Sequence, residues 1–319
     1  MHRVPDLPAT PWFTTAPYPA KLGAMQAQRP FGPLDLGVVV MMNLLWGLNI
    51  IAVKQSVVLV APLTAAFLRQ ALVLLVCAGS LKPVPGQMRA ISALGLMMGA
   101  AFYLVINLSL AVSTNVGALA IAGQLGVPFA LILAVVIEGE RIHWPRLTGI
   151  ALSLGGVAVL VFDPAAGGQL LALALTALSS LIWACGSLIQ RRLRGVPVLT
   201  LYGWIALWGT MGLGIAALIA EPQALVALPA LPLGTLGWIA FSALGSTLGG
   251  HGALSWLLQR HPVTTVTPMT LAAPVISVFT AAWYFGTPVT GVMLAGGGLA
   301  MAGVAIVTMR TAARAARAA

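Results

Sequence analysis

From Leu36 to Thr308 the chain alternates long apolar runs with short joints that carry charge or proline. A helix needs about 20 mainly apolar residues to cross roughly 30 Å of hydrocarbon. Ten runs approach that length: Leu36 to Val53, Pro62 to Leu81, Ala90 to Ala111, Val116 to Ile137, Leu147 to Phe162, Gln169 to Ile189, Val198 to Ala220, Leu233 to Leu258, Val263 to Phe285 and Val289 to Thr308. They are continuously apolar and lack the period-two alternation of membrane-barrel strands. Helices remain, because lipid offers backbone N–H and C=O groups no partner outside their own segment. The pattern predicts an all-α integral membrane protein with ten transmembrane helices.

Composition agrees, with 60% apolar residues, 7% charged residues and a mean hydropathy of +1.00. A net charge of +10 would suggest a nucleic-acid partner in a soluble protein. Here the placement of the basic residues explains it differently. If the N-terminus is cytoplasmic, every Lys and Arg except Lys54 and Arg69 falls in a tail or in a loop following an even-numbered helix. That is the positive-inside asymmetry, and it predicts both termini in the cytoplasm without a nucleic-acid partner. Residues 1–34 carry seven prolines from Pro5 to Pro33 and predict a disordered cytoplasmic tail, with Met25 as an alternative start. Residues 311–319 form a short basic tail on the same side. Cys77 and Cys185 lie inside apolar runs without metal or redox spacing, so no metal or cofactor is expected.

The chain also repeats itself. GERIHWPRLTGIALSLGGVAVLV, from Gly139 to Val161, matches GTPVTGVMLAGGGLAMAGVAIVT, from Gly286 to Thr308, with Gly149 and Gly156 standing over Gly296 and Gly303. Trp46 with Lys54 stands over Trp183 with Arg191, Tyr103 with Asn107 over His251 with Ser255, and Pro128 close to Pro274. Five helices are read as duplicated, 35–162 forming the first repeat and 163–310 the second. A unit with an odd number of crossings enters the membrane from opposite sides in its two copies. Inverted repeats of this kind recur in secondary transporters, with substrate held near the midplane.

The stretches LLWGLNIIAVK and PLTAAFLR, the Gly139 block and their weaker second copies resemble the EamA family of the drug/metabolite transporter superfamily, over Leu36 to Arg310. The resemblance implies a ten-helix carrier of the bacterial inner membrane, often an exporter of amino acids or other small metabolites. One departure is Thr287, where many members repeat the glutamate found here as Glu140.

All six acidic residues lie in tails, loops or helix ends, so coupling through a buried carboxylate is not expected and neutral or zwitterionic substrates fit best. The partners expected are a small molecule and the bilayer. Arg69 is about 10 Å deep by helical rise. It reads either as a snorkelling or capping residue, or as an anchor or gate for a substrate carboxylate. His251 reads either as a neutral imidazole on a backbone carbonyl or as a site residue. Trp46, Asn49, Tyr103, Asn107, Gln124, Trp183, Ser187, Ser255 and Thr270 complete the candidate substrate-binding set, with interhelical hydrogen bonding as the alternative for each. Pro128, Pro268 and Pro274 are candidate gating kinks, with static bends as the alternative. An intramembrane enzyme would need a nucleophile with its base, a carboxylate pair or metal ligands; no HExxH or GxSxG occurs, and Ser179 and Ser180 have no evident partner.

Overall fold

The computed structural model describes residues 31–138, 144–163 and 169–318. Within them the chain has ten long helical runs: α1 (Pro33–Leu59), α2 (Pro62–Ser80), α3 (Met88–Val112), α4 (Val116–Ile137), α5 (Trp144–Val161), α6 (Leu170–Arg192), α7 (Val198–Ala220), α8 (233–258), α9 (Thr265–Phe285) and α10 (Gly291–Ala318), with a short helix, Pro222–Val226, and a 3₁₀ turn, Leu228–Ala230, between α7 and α8. Among the described residues, all but α8 are apolar enough over a membrane-spanning length to cross by composition alone. The glycines, serines, threonine and histidine of GSTLGGHGALS dilute the apolar character of α8. The tails before residue 31, the Met25 start, Glu140 and most of the GERIHWPR segment lie outside the described residues.

One predicted boundary is corrected. The first run does not stop at Val53 with Lys54 in a loop; α1 continues through Lys54 to Leu59. The Lys54 ammonium donates to the carbonyls of Leu110 and Ser113, both at 2.7 Å, and so caps the last turn of α3. Those carbonyls have no partner within their own helix, and a cation is favoured at a helix C-terminus.

Two helices leave α-geometry at corresponding places in the two halves. In α3, Gly95–Ala101 forms a π-helical run, and in α8, Phe241–Gly250 forms another. Each ends beside the pair that the repeat aligns, Tyr103 and His251. The prolines act similarly. Pro128 cannot donate to the carbonyl of Gln124, four residues earlier, and α4 tightens there into a 3₁₀ turn over Gly123–Leu125. Pro274 stands in the same relation to Thr270, where α9 is interrupted between Met269 and Ala272.

The most extensive helix contact is α5 on α10. A Cβ added at Gly156 would run into the backbone of Ala300 and Gly296; one at Gly303 would lie 2.5 Å from the Gly149 carbonyl oxygen and from the Ser153 nitrogen. The glycines spaced seven apart thus place the two backbones in direct contact, as small residues do between membrane helices. Elsewhere α7 packs on α2, α9 on α1 and α6 on α3 and α4, so each half is built partly against the other. At the joints, Glu221 at the end of α7 accepts from the N–H groups of Leu63 and Thr64 at 3.0 and 2.8 Å and from the Thr64 hydroxyl. The Gln169 side-chain oxygen Oε1 likewise accepts from the Ser113 hydroxyl and from the N–H groups of Thr114 and Asn115.

The α5–α10 contact gives a paired test. Gly156→Ala should destabilise the protein by about 1–3 kcal/mol, as overpacking does in a close-packed core. Gly155→Ala, where an added Cβ meets nothing within 4 Å, should be neutral. Thermal unfolding in detergent distinguishes the two.

Candidate functional site

Two cavities, of about 410 Å³ and 350 Å³, lie between the halves and share five lining residues: Trp46, Asn49, Arg69, Phe102 and Tyr103. These five form a waist. The larger lobe extends toward the face that carries the loops after odd-numbered helices, past Ile50, Val53, Ile106, Leu110, Leu119 and Ser277. Gln124 and Thr270 also line it, each at a proline-induced break, so the two kinks bring matched polar residues to one wall. The smaller lobe extends toward the opposite face, past Gln70, Val73, Met98, Trp183, Tyr202, Thr247 and His251.

Arg69 occupies the waist. Its side chain is buried, with 8% of the residue exposed, and the guanidinium does not snorkel toward the end of α2. One terminal nitrogen donates to the Thr247 hydroxyl at 2.7 Å, and the guanidinium carbon lies 4.6 Å from the centre of the Tyr103 ring, a cation–π arrangement. Its Nε has no hydrogen-bond partner. Among the described residues, no Asp, Glu or Lys lines either lobe. A buried charge without an opposite charge is costly, so the site holds an unmet electrostatic demand for an anion.

The residues around it are held by the π-helical run of α8. The Thr247 hydroxyl donates to the Ser242 carbonyl at 3.0 Å while accepting from Arg69. The Trp46 indole donates to the Ser246 carbonyl at 3.2 Å, and Ser242 donates to the Asn49 side-chain oxygen at 2.7 Å. His251 meets the Thr247 carbonyl through Nδ1 at 2.9 Å. A carbonyl only accepts, so Nδ1 carries the proton, and Nε2 of a neutral ring is left as an acceptor. The imidazole sits between Trp46 and Tyr202, with ring centres at 5.2 and 5.1 Å. On the α3 side, the Gln70 amide donates to the Gly99 carbonyl at 3.0 Å, inside the other π-helical run.

Most of the sequence-derived set gathers here: Trp46, Asn49, Arg69, Tyr103, Gln124, Trp183, His251 and Thr270 line one or both lobes. Three members do not. The Asn107 amide donates back to the Tyr103 carbonyl at 2.7 Å and borders only a void of about 10 Å³ on the far side of Arg69. The Ser187 hydroxyl donates to the Ala184 carbonyl of its own helix at 2.7 Å. Ser255 lies one turn beyond His251 and lines neither lobe. Pro274 lines the larger lobe, whereas Pro128 and Pro268 line neither and act only through the path of their helices. The sequence reading missed Phe102, Tyr202, Met98, Gln70 and Thr247. Gln70 and Thr247 carried a usable signal as polar residues inside apolar helices; the other three resemble ordinary core residues in sequence.

The EamA-like transporter family profile matches residues 36–162 and again residues 170–309. The chain belongs to this family. Two relatives, from Escherichia coli (strain K12) and Salmonella typhimurium (strain LT2), are each named "Probable amino-acid metabolite efflux pump". Both are 28% identical, over 286 and 290 residues respectively, with 87% of this chain and 94% of each relative covered. An "Uncharacterized transporter" of Archaeoglobus fulgidus is 26% identical over 273 residues, covering 83% of this chain and 95% of its own. A solved crystal structure superposes with a TM-score of 0.57 at 18% identity, covering 88% of this chain and 98% of that one, and supports the fold. The EamA-like chain is thus a multi-pass membrane transporter.

If Arg69 is kept for ligand and not for packing, Arg69→Met should leave the thermal unfolding midpoint in detergent unchanged or higher. Replacing buried charged groups by apolar ones of similar size is often neutral or stabilising by about 1–4 kcal/mol. A midpoint several degrees lower would assign the guanidinium a structural role.

Proposed function

We propose that this protein carries small neutral or zwitterionic metabolites, amino acids among them, out of the cell across the bacterial inner membrane by alternating access. The observation that carries the reading is the waist: a single buried guanidinium, free of any acidic neighbour among the described residues, stands between two lobes on opposite sides of the bundle. A substrate carboxylate on Arg69 would form charge-assisted, bidentate hydrogen bonds. The aromatic rings of Trp46, Phe102 and Tyr103 would flank its apolar part, and Asn49, Gln124, Thr270 and His251 would orient it. Few polar orienters among apolar walls is the usual composition of a small-molecule site. The names of the two bacterial relatives favour amino-acid metabolites, and the basic residues favour the even-loop face as cytoplasmic.

In this reading the proline breaks of α4 and α9 are the flexible points, and substrate moves from the smaller, cytoplasmic lobe past Arg69 to the larger one. No covalent chemistry is involved. The apolar lining of the larger lobe, from Ile50 to Leu119, favours one alternative, the export of hydrophobic drugs.

The purified full-length chain in liposomes should exchange radiolabelled amino acids from a broad panel. Trp46→Ala and His251→Ala should each reduce exchange at least tenfold. Exchange of lipophilic dyes but no amino acid would select the drug reading. Transport unchanged by His251→Ala at every pH would remove that residue from the site.

A further inference from the structure

The charge pattern of the waist bears on which form of a carboxylate it prefers. An α-amino acid held by its carboxylate on Arg69 brings its ammonium group close to a like charge in a low-dielectric site, where Coulomb repulsion is strongest. No carboxylate of the protein offsets this among the described residues. Asp35 faces His261, with 3.2 Å between Oδ1 and Nε2; Asp163 accepts from Thr290; Glu221 is engaged at the start of α2. The ring of Tyr103, an aromatic face that could have received the ammonium, is already covered by the guanidinium. Acylating the nitrogen, or replacing it by a carbonyl, removes the repulsion and leaves one negative charge opposite one positive charge.

The same charge balance supplies a driving force. With no acidic side chain lining either lobe among the described residues, the cavity offers no carboxylate to carry a coupling proton. A monoanion leaving a cell whose interior is negative moves down the membrane potential, one elementary charge per molecule, whatever conformations the carrier passes through. A zwitterion gains nothing from the potential.

We propose that the preferred cargo is a small amphipathic monocarboxylate whose nitrogen is absent or acylated, and that its efflux is electrogenic, driven by the membrane potential. This rests on the carrier reading above but moves the preferred charge state of the cargo from zwitterion to monoanion: free amino acids become the poorer substrates.

The test uses the full-length chain in liposomes, with protein-free liposomes as the permeability control. They are loaded in turn with radiolabelled L-leucine, N-acetyl-L-leucine or 4-methyl-2-oxopentanoate. The two anions should leave at least fivefold faster than leucine. A tenfold outward potassium gradient with valinomycin, making the interior negative, should accelerate the anions severalfold, and the reversed gradient should slow them; leucine efflux should ignore both. Arg69→Gln should abolish the anion preference, and Arg69→Lys, which keeps the charge, should retain it at reduced rate. Leucine leaving as fast as the anions, anion efflux indifferent to potential, or a preference that survives Arg69→Gln would each overturn the inference. Arg69-dependent leucine efflux of that kind would leave the carrier reading standing. Protein-dependent efflux of none of the three would remove both.

Discussion

Lipid supplies no hydrogen bonds, and the structure depends on that constraint more than on any other. Ten helices satisfy their own backbones, and irregular backbone is tolerated at membrane depth only where protein or a cavity meets it. This chain concentrates its irregularities at the cavity. The π-helical run of α8 offers its Ser242, Ser246 and Thr247 carbonyls to Thr247, Trp46 and His251, and the run of α3 offers the Gly99 carbonyl to Gln70. The side chains that repair the backbone are largely the ones that form the site. Holding the fold together and holding the cavity in shape are therefore one set of contacts, and π-helical turns are frequent at functional sites for this kind of reason.

What could be read from sequence follows from the same physics. Apolar length fixed the helices well, because the requirement is imposed by the bilayer and not by neighbours; α7 was expected and found at Val198–Ala220. Lys54 was misjudged at the end of its helix because its partners, the carbonyls of Leu110 and Ser113, belong to α3 and are far away in sequence. The cavity set was legible where a polar residue interrupts an apolar run, as at Gln124 and Thr270. It was illegible for Phe102, Met98 and Tyr202, since in a membrane bundle both the buried and the lipid-facing sides are apolar and the pattern cannot say which is which. Trp283, with 82% of its surface exposed, and Trp208, packed on Gly95, are the same residue type in opposite settings. Asn107 and Ser187 show the converse failure, being polar, deep and bonded to their own helices.

The duplicated block now separates into parts with different causes. Its glycines bring α5 and α10 into backbone contact, which needs the same residues in both copies because each supplies one side of the seam. Most of its charged start lies outside the described residues, and Arg146 is buried near the start of α5. If the face carrying the loops after even-numbered helices is cytoplasmic, basic residues fit the start of the first copy and would oppose the orientation at the start of the second. The change from Glu140 to Thr287 has no account in the structure.

Symmetry in the scaffold and asymmetry in the chemistry are then complementary. Both halves contribute a π-helical run, a proline break and a polar residue at that break, so the backbone irregularities of the two halves are matched. The charge is not matched. If Pro62 is set over Pro197, as the repeat suggests, Arg69 falls on Trp204, which donates to the Lys82 carbonyl at the edge of the bundle and lines neither lobe. A second arginine in the symmetric place would have put two like charges around one small cavity, each raising the cost of burying the other. One charge between two lobes avoids that cost. It leaves one guanidinium bordering both lobes, which is where the proposed carrier would need its anchoring point.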